Sequence, residues 1–135
     1  MLTLRAPIDL ITADAACWQC KGRTPVSLLR ARQSFDPVKQ VTVDQAKVVQ
    51  PDSLPEAMAR PVQKLNPGYR LVRSDRIRTR YYWANHCLHC NARHGEYSLH
   101  TEPDGPFFGG LIPITAVTVR LLDVGEYEIG AGHGY

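Results

Sequence analysis

Apolar and polar residues are arranged along this chain in patterns typical of β-strands. Aliphatic and β-branched residues over 8–16 and 24–32 flank a short segment at 17–23, which predicts a strand, a tight turn and a second strand. The Val- and Thr-rich run over 114–122 predicts a late strand, and residues 36–52 predict a loop with a short strand. The pattern therefore indicates a mainly antiparallel β chain.

The segment from Tyr69 to Trp83 alternates in the manner of one extended strand. Because side chains alternate between the two faces of a strand, four long polar residues are expected on one face, namely Arg76, Arg78, Arg80 and Tyr82. This strand runs directly into a cysteine pair, and residues 95–101 are expected to be its return partner.

A helix is predicted between residues 54 and 60. Ser53 is a candidate N-cap, Pro55 suits a first turn, and Glu56, three residues after Ser53, completes a capping box. Pro61 is expected to kink or end the helix, because a proline disfavours the helical conformation of the residue before it. The predicted fold class is therefore α+β, mainly antiparallel β with one short helix.

Length and composition fit one soluble domain. The 135 residues are 44% hydrophobic and 21% charged, a balance that is ordinary for a folded chain. No apolar run reaches the roughly 18 residues that a membrane helix needs. Pro7, Asp9 and Asp14 interrupt the apolar N-terminal residues, so no secretion signal is expected. We therefore expect a cytoplasmic protein whose thiols stay reduced.

The net charge of +3 conceals a strong asymmetry along the chain. Residues 60–94 carry eight basic side chains and one acidic side chain, whereas residues 95–135 carry one basic and six acidic side chains. Such a division either attracts a polyanion to one face or lets the two segments pair with each other. We favour pairing, in which the arginines at 76, 78 and 80 contact Glu96, Glu102 or Glu126.

The cysteines form two CxxC pairs, which together predict one zinc ion. Two residues between cysteines let a tight turn, or zinc knuckle, direct both sulfurs at one ion, and two knuckles complete a tetrahedral shell of four thiolates. A redox dithiol of the thioredoxin type would need a strand-to-helix context that neither pair has. We therefore expect one structural Zn²⁺ per chain, held by Cys17, Cys20, Cys87 and Cys90.

The residues around the two knuckles resemble the zinc-ribbon superfamily. The blocks CWQCKGRTPV and YYWANHCLHCNARHGEYSLHTEPDGPFFG are similar to a bacterial family of uncharacterised zinc-ribbon proteins. The resemblance implies a zinc-ribbon-like core but no established activity. Knuckles 17–20 and 87–90 then belong to a single domain over 1–135 and enclose a long insertion, 21–86, that contains the helix. Gly22 and Asn91, just after the knuckles, are expected to adopt the left-handed backbone conformation.

The histidines do not complete a recognised catalytic set. An HNH nuclease would need a general-base histidine well inside the segment that its cysteine pairs bracket; residues 21–85 contain none, and His86 directly precedes Cys87. His94 and Glu96 match the His-x-Glu of zinc deaminases but follow the cysteine pair, and a four-cysteine shell leaves no position open for water. His86 and His89 are expected to donate to a carbonyl or a sulfur beside the metal. No catalytic residue is therefore assigned.

Three classes of function remain. We favour a non-catalytic module that binds another protein, with Phe107 and Phe108 as an exposed apolar contact. The first alternative is nucleic-acid binding through the basic strand Arg70–Arg80, with Tyr69 and Tyr82 available to stack. Its phosphate contacts would come from Arg73, Arg76, Arg78 and Arg80. The second alternative is an enzyme without a recognisable motif.

Overall fold

The computed structural model describes residues 1–77, 79–95, 99–100, 102, 105–130 and 133–134. These residues form two antiparallel sheets and one α-helix, so the predicted mainly antiparallel α+β class is confirmed. None of the described helices is long and apolar enough to cross a membrane.

A long hairpin forms the centre of the larger sheet. Strand β1 (Leu2–Ala16) pairs with β2 (Arg23–Asp36) from Thr3↔Phe35 to Ala16↔Arg23, with an irregularity between Arg5 and Ile8. This confirms the predicted strand–turn–strand unit. Continuous buried runs over 8–11 and 26–29 show that the middle of the hairpin is covered on both faces.

Four shorter strands complete this sheet. On the outer side of β2, strand β3 (Val41–Val49) pairs with it and also with β9 (His133–Gly134). On the other side, β7 (Val117–Leu122) and β8 (Glu126–Ile129) both pair with β1. They follow one another along β1 as two halves of one interrupted edge strand. The predicted late strand is thus present, and the predicted loop at 36–52 is largely strand.

The two faces of the hairpin contact different apolar clusters. On one face, even-numbered residues of β1 from Leu2 to Leu10 pack with the helix and with two aromatic side chains of the smaller sheet, Tyr69 and Trp83. On the opposite face, Ile11, Ala13 and Ala15 pack with residues from the C-terminal third of the chain, including Leu99 and Phe107. Because successive side chains of β1 point to opposite faces, this strand contributes to two separate apolar clusters.

Helix α1 (Glu56–Leu65) is longer than predicted and begins differently. Its N-cap is Pro55, and no side chain caps it, so the expected capping box is absent. Pro61 lies inside the helix rather than ending it. Met58 and Val62, one turn apart on the apolar face, are both fully buried, and this packing outweighs the backbone hydrogen bond that Pro61 cannot donate.

The smaller sheet corrects the prediction of one continuous basic strand. The segment forms a hairpin of β4 (Tyr69–Arg73) and β5 (Tyr81–His86), paired from Tyr69↔Asn85 to Arg73↔Tyr81. Residues 74–80 reverse the chain, because the Ser74 hydroxyl accepts the N–H groups of Arg76 and Ile77, each at 3.2 Å. The return partner of β5 is β6 (Arg93–His94). Of the expected partner 95–101, residues 96–98 and 101 lie outside the described residues, and residues 99–100 are helical.

A buried amide attaches the smaller sheet to the larger one. The Asn85 Oδ1 atom accepts the backbone N–H of Ser27 at 2.8 Å, and its Nδ2 atom donates to the Ser27 carbonyl at 2.9 Å. The Ser27 hydroxyl also contacts Asn66 Nδ2 at 2.8 Å and Thr12 Oγ1 at 2.7 Å. Because β5 leads into Cys87 and β2 follows Cys20, this contact helps to place the two cysteine pairs beside each other.

Candidate metal centre

The first knuckle closes the turn between β1 and β2. The Cys17 N–H donates to the Gly22 carbonyl at 2.8 Å, and the Lys21 N–H donates to the Cys17 carbonyl at 3.0 Å. Lys21 has a φ of +66°, so it is Lys21, not the expected Gly22, that takes the left-handed conformation. A Cβ atom at Gly22 would make a tight contact of 3.3 Å with His89 Cδ2 and an ordinary contact of 3.5 Å with Cys20 Sγ.

The second knuckle repeats this backbone between β5 and β6. The Cys87 N–H donates to the Ala92 carbonyl at 2.8 Å, and the Asn91 N–H donates to the Cys87 carbonyl at 2.9 Å. Asn91 has a φ of +65°, which confirms its predicted left-handed conformation. Asn91 therefore corresponds to Lys21, and Ala92 corresponds to Gly22, so the two knuckles are matching turns.

The four sulfur atoms converge on one point. All four lie within 4.8 Å of one another, with 3.6 Å from Cys17 Sγ to Cys90 Sγ and 3.7 Å from Cys20 Sγ to Cys87 Sγ. A tetrahedral site with Zn–S bonds of about 2.3 Å has S–S edges of about 3.8 Å, whereas a disulfide bond is about 2.0 Å long. The spacing fits four ligands of one metal ion and excludes disulfides in this state.

Backbone dipoles make the buried sulfurs good thiolates. The backbone N–H of Cys90 lowers the pKa of Cys87 to about 6; burial opposes this shift, and the His89 N–H, 3.4 Å from the sulfur, adds to it. Burial raises the pKa of Cys17, but hydrogen bonds from the backbone N–H groups of Cys20 and Gln19 lower it further, so the pKa ends below its usual value. Metal binding requires thiolates, so these two shifts favour the metal-bound form. The pKa of Cys90 moves the other way: the Ala92 backbone N–H lowers it, but burial and the three neighbouring sulfurs outweigh that effect and raise it to about 11.

Two side chains connect the knuckles in a reciprocal way. The Trp18 indole Nε1–H of the first knuckle donates to the Arg93 carbonyl at 2.9 Å. The His89 Nε2 atom of the second knuckle lies 2.9 Å from the Arg23 carbonyl. Arg23 and Arg93 hold equivalent positions, one residue after Gly22 and Ala92. A side chain from each knuckle therefore binds the first residue of the strand that follows the other knuckle. The sequence gives no signal for the Trp18 contact.

His86 also fits its expected supporting role. Its Nδ1 atom lies 3.1 Å from the Gly68 carbonyl and 3.0 Å from the Ala84 carbonyl, which is the geometry of a shared N–H donor. Burial lowers the pKa of His86 below its usual value, so the ring is neutral near pH 7. The expectation that His86 and His89 bind carbonyls beside the cysteines is confirmed.

The residues proposed for nucleic-acid binding do not share one face. Arg73 lies over the Tyr81 ring at 5.7 Å from its centroid, and Arg80 pairs with Asp52 at 3.3 Å. Arg76 is exposed in the reversing loop, and Arg78 lies outside the described residues. Of the acidic partners expected for these arginines, Glu126 instead pairs with Arg5 at 3.0 Å, and Glu96 lies outside the described residues.

The two tyrosines expected to stack on bases are occupied by other contacts. Tyr69 is 1% exposed and packs against Trp83, with 5.9 Å between the ring centroids. Arg80 and Arg93 lie 5.8 Å and 5.6 Å from the centroid of Tyr82, and Arg93 also donates to the Tyr82 hydroxyl at 2.8 Å. Neither ring is therefore an open platform for stacking.

The paired phenylalanines have different environments. Phe107 is fully buried in the second apolar cluster, so its assignment as an exposed contact is wrong. Phe108 is 46% exposed and keeps that possibility. His94, the deaminase-like histidine, is buried in β6 and does not belong to the cysteine cluster, while Glu96 lies outside the described residues.

No protein-family model matches this chain, and no match was found among curated proteins or solved structures. The zinc-ribbon resemblance therefore remains a prediction from two short blocks. Independently of that resemblance, the structure brings the four cysteines together in a cluster that can hold one metal ion.

Proposed function

We propose that the four cysteines bind one structural Zn²⁺ and that the protein is a non-catalytic binding module. The observation that carries the metal assignment is the sulfur spacing of 3.6 and 3.7 Å, which matches the edges of a zinc–thiolate tetrahedron of about 3.8 Å. Thiolate donors from two matching knuckles suit this ion. Four protein ligands leave no coordination position for water or substrate, which supports a structural rather than a catalytic role.

The ion would join parts of the chain that are far apart in sequence. Cys17 and Cys20 lie between β1 and β2 of the larger sheet, whereas Cys87 and Cys90 lie between β5 and β6 of the smaller one. Shared coordination ties the two sheets together at the knuckles, beside the Asn85–Ser27 contact. Structural zinc contributes folding free energy on the order of 10 kcal/mol, which is comparable to the total stability of a domain.

Elemental analysis tests the metal assignment. The purified protein should carry one zinc per chain, and Cys87→Ser should lose the metal and much of the folding stability. A Gln19→Ser variant, which changes an exposed residue inside the first knuckle, should keep both. Iron in place of zinc, or a folded metal-free protein under reducing conditions, would contradict the assignment, because tetrahedral sulfur sites also accept iron.

A protein partner is supported by apolar side chains beside a free sheet edge. From Phe108 to the start of β7, four large side chains are exposed: Phe108, Leu111, Ile114 and Val117, which are 46, 72, 101 and 62% exposed. In the described part of the larger sheet β7 has no neighbour beyond β1. An open strand edge next to apolar side chains suits an extended segment of another protein, which can add a strand and fill the adjacent surface.

A crosslinking experiment tests this surface. A photo-crosslinker placed at residue 114 should capture a protein partner in the source cells, and the crosslinked peptides should map to the β7 edge. The double variant Leu111→Asp/Val117→Asp should lose the crosslink. The control Val38→Asp/Val41→Asp changes two exposed apolar residues at the β2–β3 turn, away from β7, and should keep it. Equal loss in both variants, or crosslinks away from β7, would argue against this partner surface.

A further inference from the structure

The β4–β5 hairpin carries arginines that no carboxylate in the described part of the chain neutralises. Among the described residues, the two carboxylates near the hairpin, Asp52 and Asp75, pair with Arg80 and Arg93. Three other arginines contact no described carboxylate, and we call them the basic triad: Arg70, Arg73 and Arg76. The Arg70 guanidinium donates to the Asn91 carboxamide, that of Arg73 donates to the Tyr81 hydroxyl at 3.2 Å, and Arg76 is exposed in the loop.

The triad extends from the second knuckle to the end of the hairpin. Arg70 contacts Asn91 of that knuckle, Arg73 ends β4, and Arg76 lies in the loop that joins the strands. At about 3.3 Å per residue, Arg70 and Arg73 are about 10 Å apart along β4. They point to opposite faces of the hairpin, because their positions differ by three residues and side chains alternate.

We propose that this hairpin binds the phosphate backbone of duplex DNA. The major groove of B-DNA is about 12 Å wide and 8.5 Å deep and admits a two-stranded β-ribbon. The end of the hairpin beside its loop, where Leu71 and Tyr81 are exposed, enters the groove first, while Tyr69 and Trp83, on the same face but nearer the knuckle, stay packed against the larger sheet. Arg70 and Arg73 then meet opposite walls, and Arg76 reaches into the groove. The phosphates supply the negative charge that the described part of the protein does not provide to the triad.

The aromatic contacts favour a duplex over a single strand. Proteins that bind single strands stack bases on open aromatic rings. On this hairpin, Tyr69 is buried, and the Tyr82 ring is covered by Arg80 and Arg93. The remaining tyrosine, Tyr81, already has Arg73 over its ring. Phosphate contact is therefore the interaction that this surface offers, and duplex DNA carries the higher density of phosphates, about one charge per 1.7 Å of axis.

This proposal goes beyond the protein-binding function, because it involves neither the β7 edge nor the exposed apolar side chains there. It needs a folded hairpin, which the knuckles support. Zinc content and the circular dichroism spectrum are therefore measured first on every sample. A variant that has lost its zinc can then be distinguished from a variant that is correctly folded but no longer binds DNA.

The experiment measures fluorescence anisotropy of a labelled duplex of about 20 base pairs against the zinc-loaded protein, over about 50 to 200 mM salt. Three phosphate contacts predict a log–log slope near −2.7 and a loss of affinity of about 40-fold over that range. Replacing the whole triad by glutamine should flatten the slope by about 2 to 3. The control variant Lys39→Gln/Arg60→Gln/Lys64→Gln removes the same charge from exposed positions outside the hairpin and should leave the slope within about 1 of the wild type.

Each alternative outcome is distinct. No binding by folded, zinc-loaded protein at about 50 mM salt would overturn the proposal. Equal loss in the triad and control variants would also overturn it, because net charge rather than the hairpin would then control binding. Tighter binding to the matching single strand, or to anionic vesicles, would refute the duplex assignment. Competition by duplex DNA at concentrations where the single strand does not compete would support it.

Discussion

Asn85→Leu tests the contact that joins the two sheets beside the cysteines. Asn85 is fully buried, and its carboxamide accepts from and donates to the backbone of Ser27 at 2.8 and 2.9 Å. Strand β3 pairs with β2 only from Leu29 onward, so at Ser27 the outer edge of β2 lacks a neighbouring strand. The Asn85 side chain supplies the donor and the acceptor that a strand would have provided.

The cost of this substitution follows from the two backbone groups it leaves unpaired. Leucine is close to asparagine in size but can neither accept from the Ser27 N–H nor donate to its carbonyl. Each buried unsatisfied group costs about 1–3 kcal/mol, so the free energy of unfolding should fall by about 2–6 kcal/mol. That is a large fraction of the roughly 5–15 kcal/mol that stabilises a typical domain.

Denaturant unfolding of the zinc-loaded protein, followed by far-UV circular dichroism, measures this change. Gln63→Leu replaces an exposed amide on α1 and is the matched control, for which a change within about 0.5 kcal/mol is expected. A loss below about 1 kcal/mol for Asn85→Leu would show that the contact is dispensable, since even one net hydrogen bond is worth about that much. A fall in zinc affinity in the same variant would show that sheet docking positions the knuckles.

Five further substitutions test three individual features. Phe107→Ala should cost about 3–5 kcal/mol of unfolding free energy because it opens a cavity in the second apolar cluster, whereas Phe108→Ala should cost well under half of that, as measured by denaturant titration. Lys21→Gly should raise stability by about 1 kcal/mol by relieving a left-handed backbone, and Asn91→Gly should gain less because asparagine tolerates that conformation. Burial lowers the pKa of His94 below 6.5, so the unfolded chain binds more protons and stability falls as pH drops through about 6.5. His94→Phe should weaken that fall in a pH series and leave the zinc content unchanged.

Local sequence signals predicted the features that depend on neighbouring residues. The paired cysteines predicted a shared site because CxxC spacing itself forms a knuckle, and Asn91 predicted a left-handed residue because few residue types tolerate one. The β1–β2 hairpin was evident from two aliphatic runs around the first knuckle. These signals act over a few residues, so no tertiary information was needed.

The errors arose where one local pattern fits two structures. Alternation from 69 to 83 fits a single strand and equally fits two strands joined by a loop, and no glycine or proline marks the loop. The usable signal was Ser74-Asp75, since the Ser74 hydroxyl accepts the backbone N–H groups that form the turn. Once the chain reverses there, Arg76 and Arg80 no longer share a strand face, which removes the basis of the original nucleic-acid interpretation.

Other errors came from distant competitors. Ser53 has the right spacing to cap α1, but its Oγ atom accepts the N–H of Gly130 at 3.0 Å, a residue 77 positions away. The burial of Met58 and Val62 carries the helix through Pro61, against the local rule. Of the adjacent phenylalanines, only the tertiary structure decides which one is buried. In each case the contact that decides the structure is with a residue remote in sequence, and the local sequence carries no signal for it.

The long insertion between the knuckles is compatible with one shared ion on energetic grounds. Sixty-six residues separate Cys20 from Cys87, against the 15–20 of a compact zinc ribbon. Loop-closure entropy grows only as the logarithm of length, so the added residues raise the closure cost by about 1 kcal/mol. Zinc contributes on the order of 10 kcal/mol. The packing of α1 and the Asn85–Ser27 contact also offset the conformational entropy that the insertion loses when it becomes ordered. Because the cost is so small, knuckle spacing does not constrain the fold of the insertion, and the hairpin carrying the basic triad is specified by its own residues.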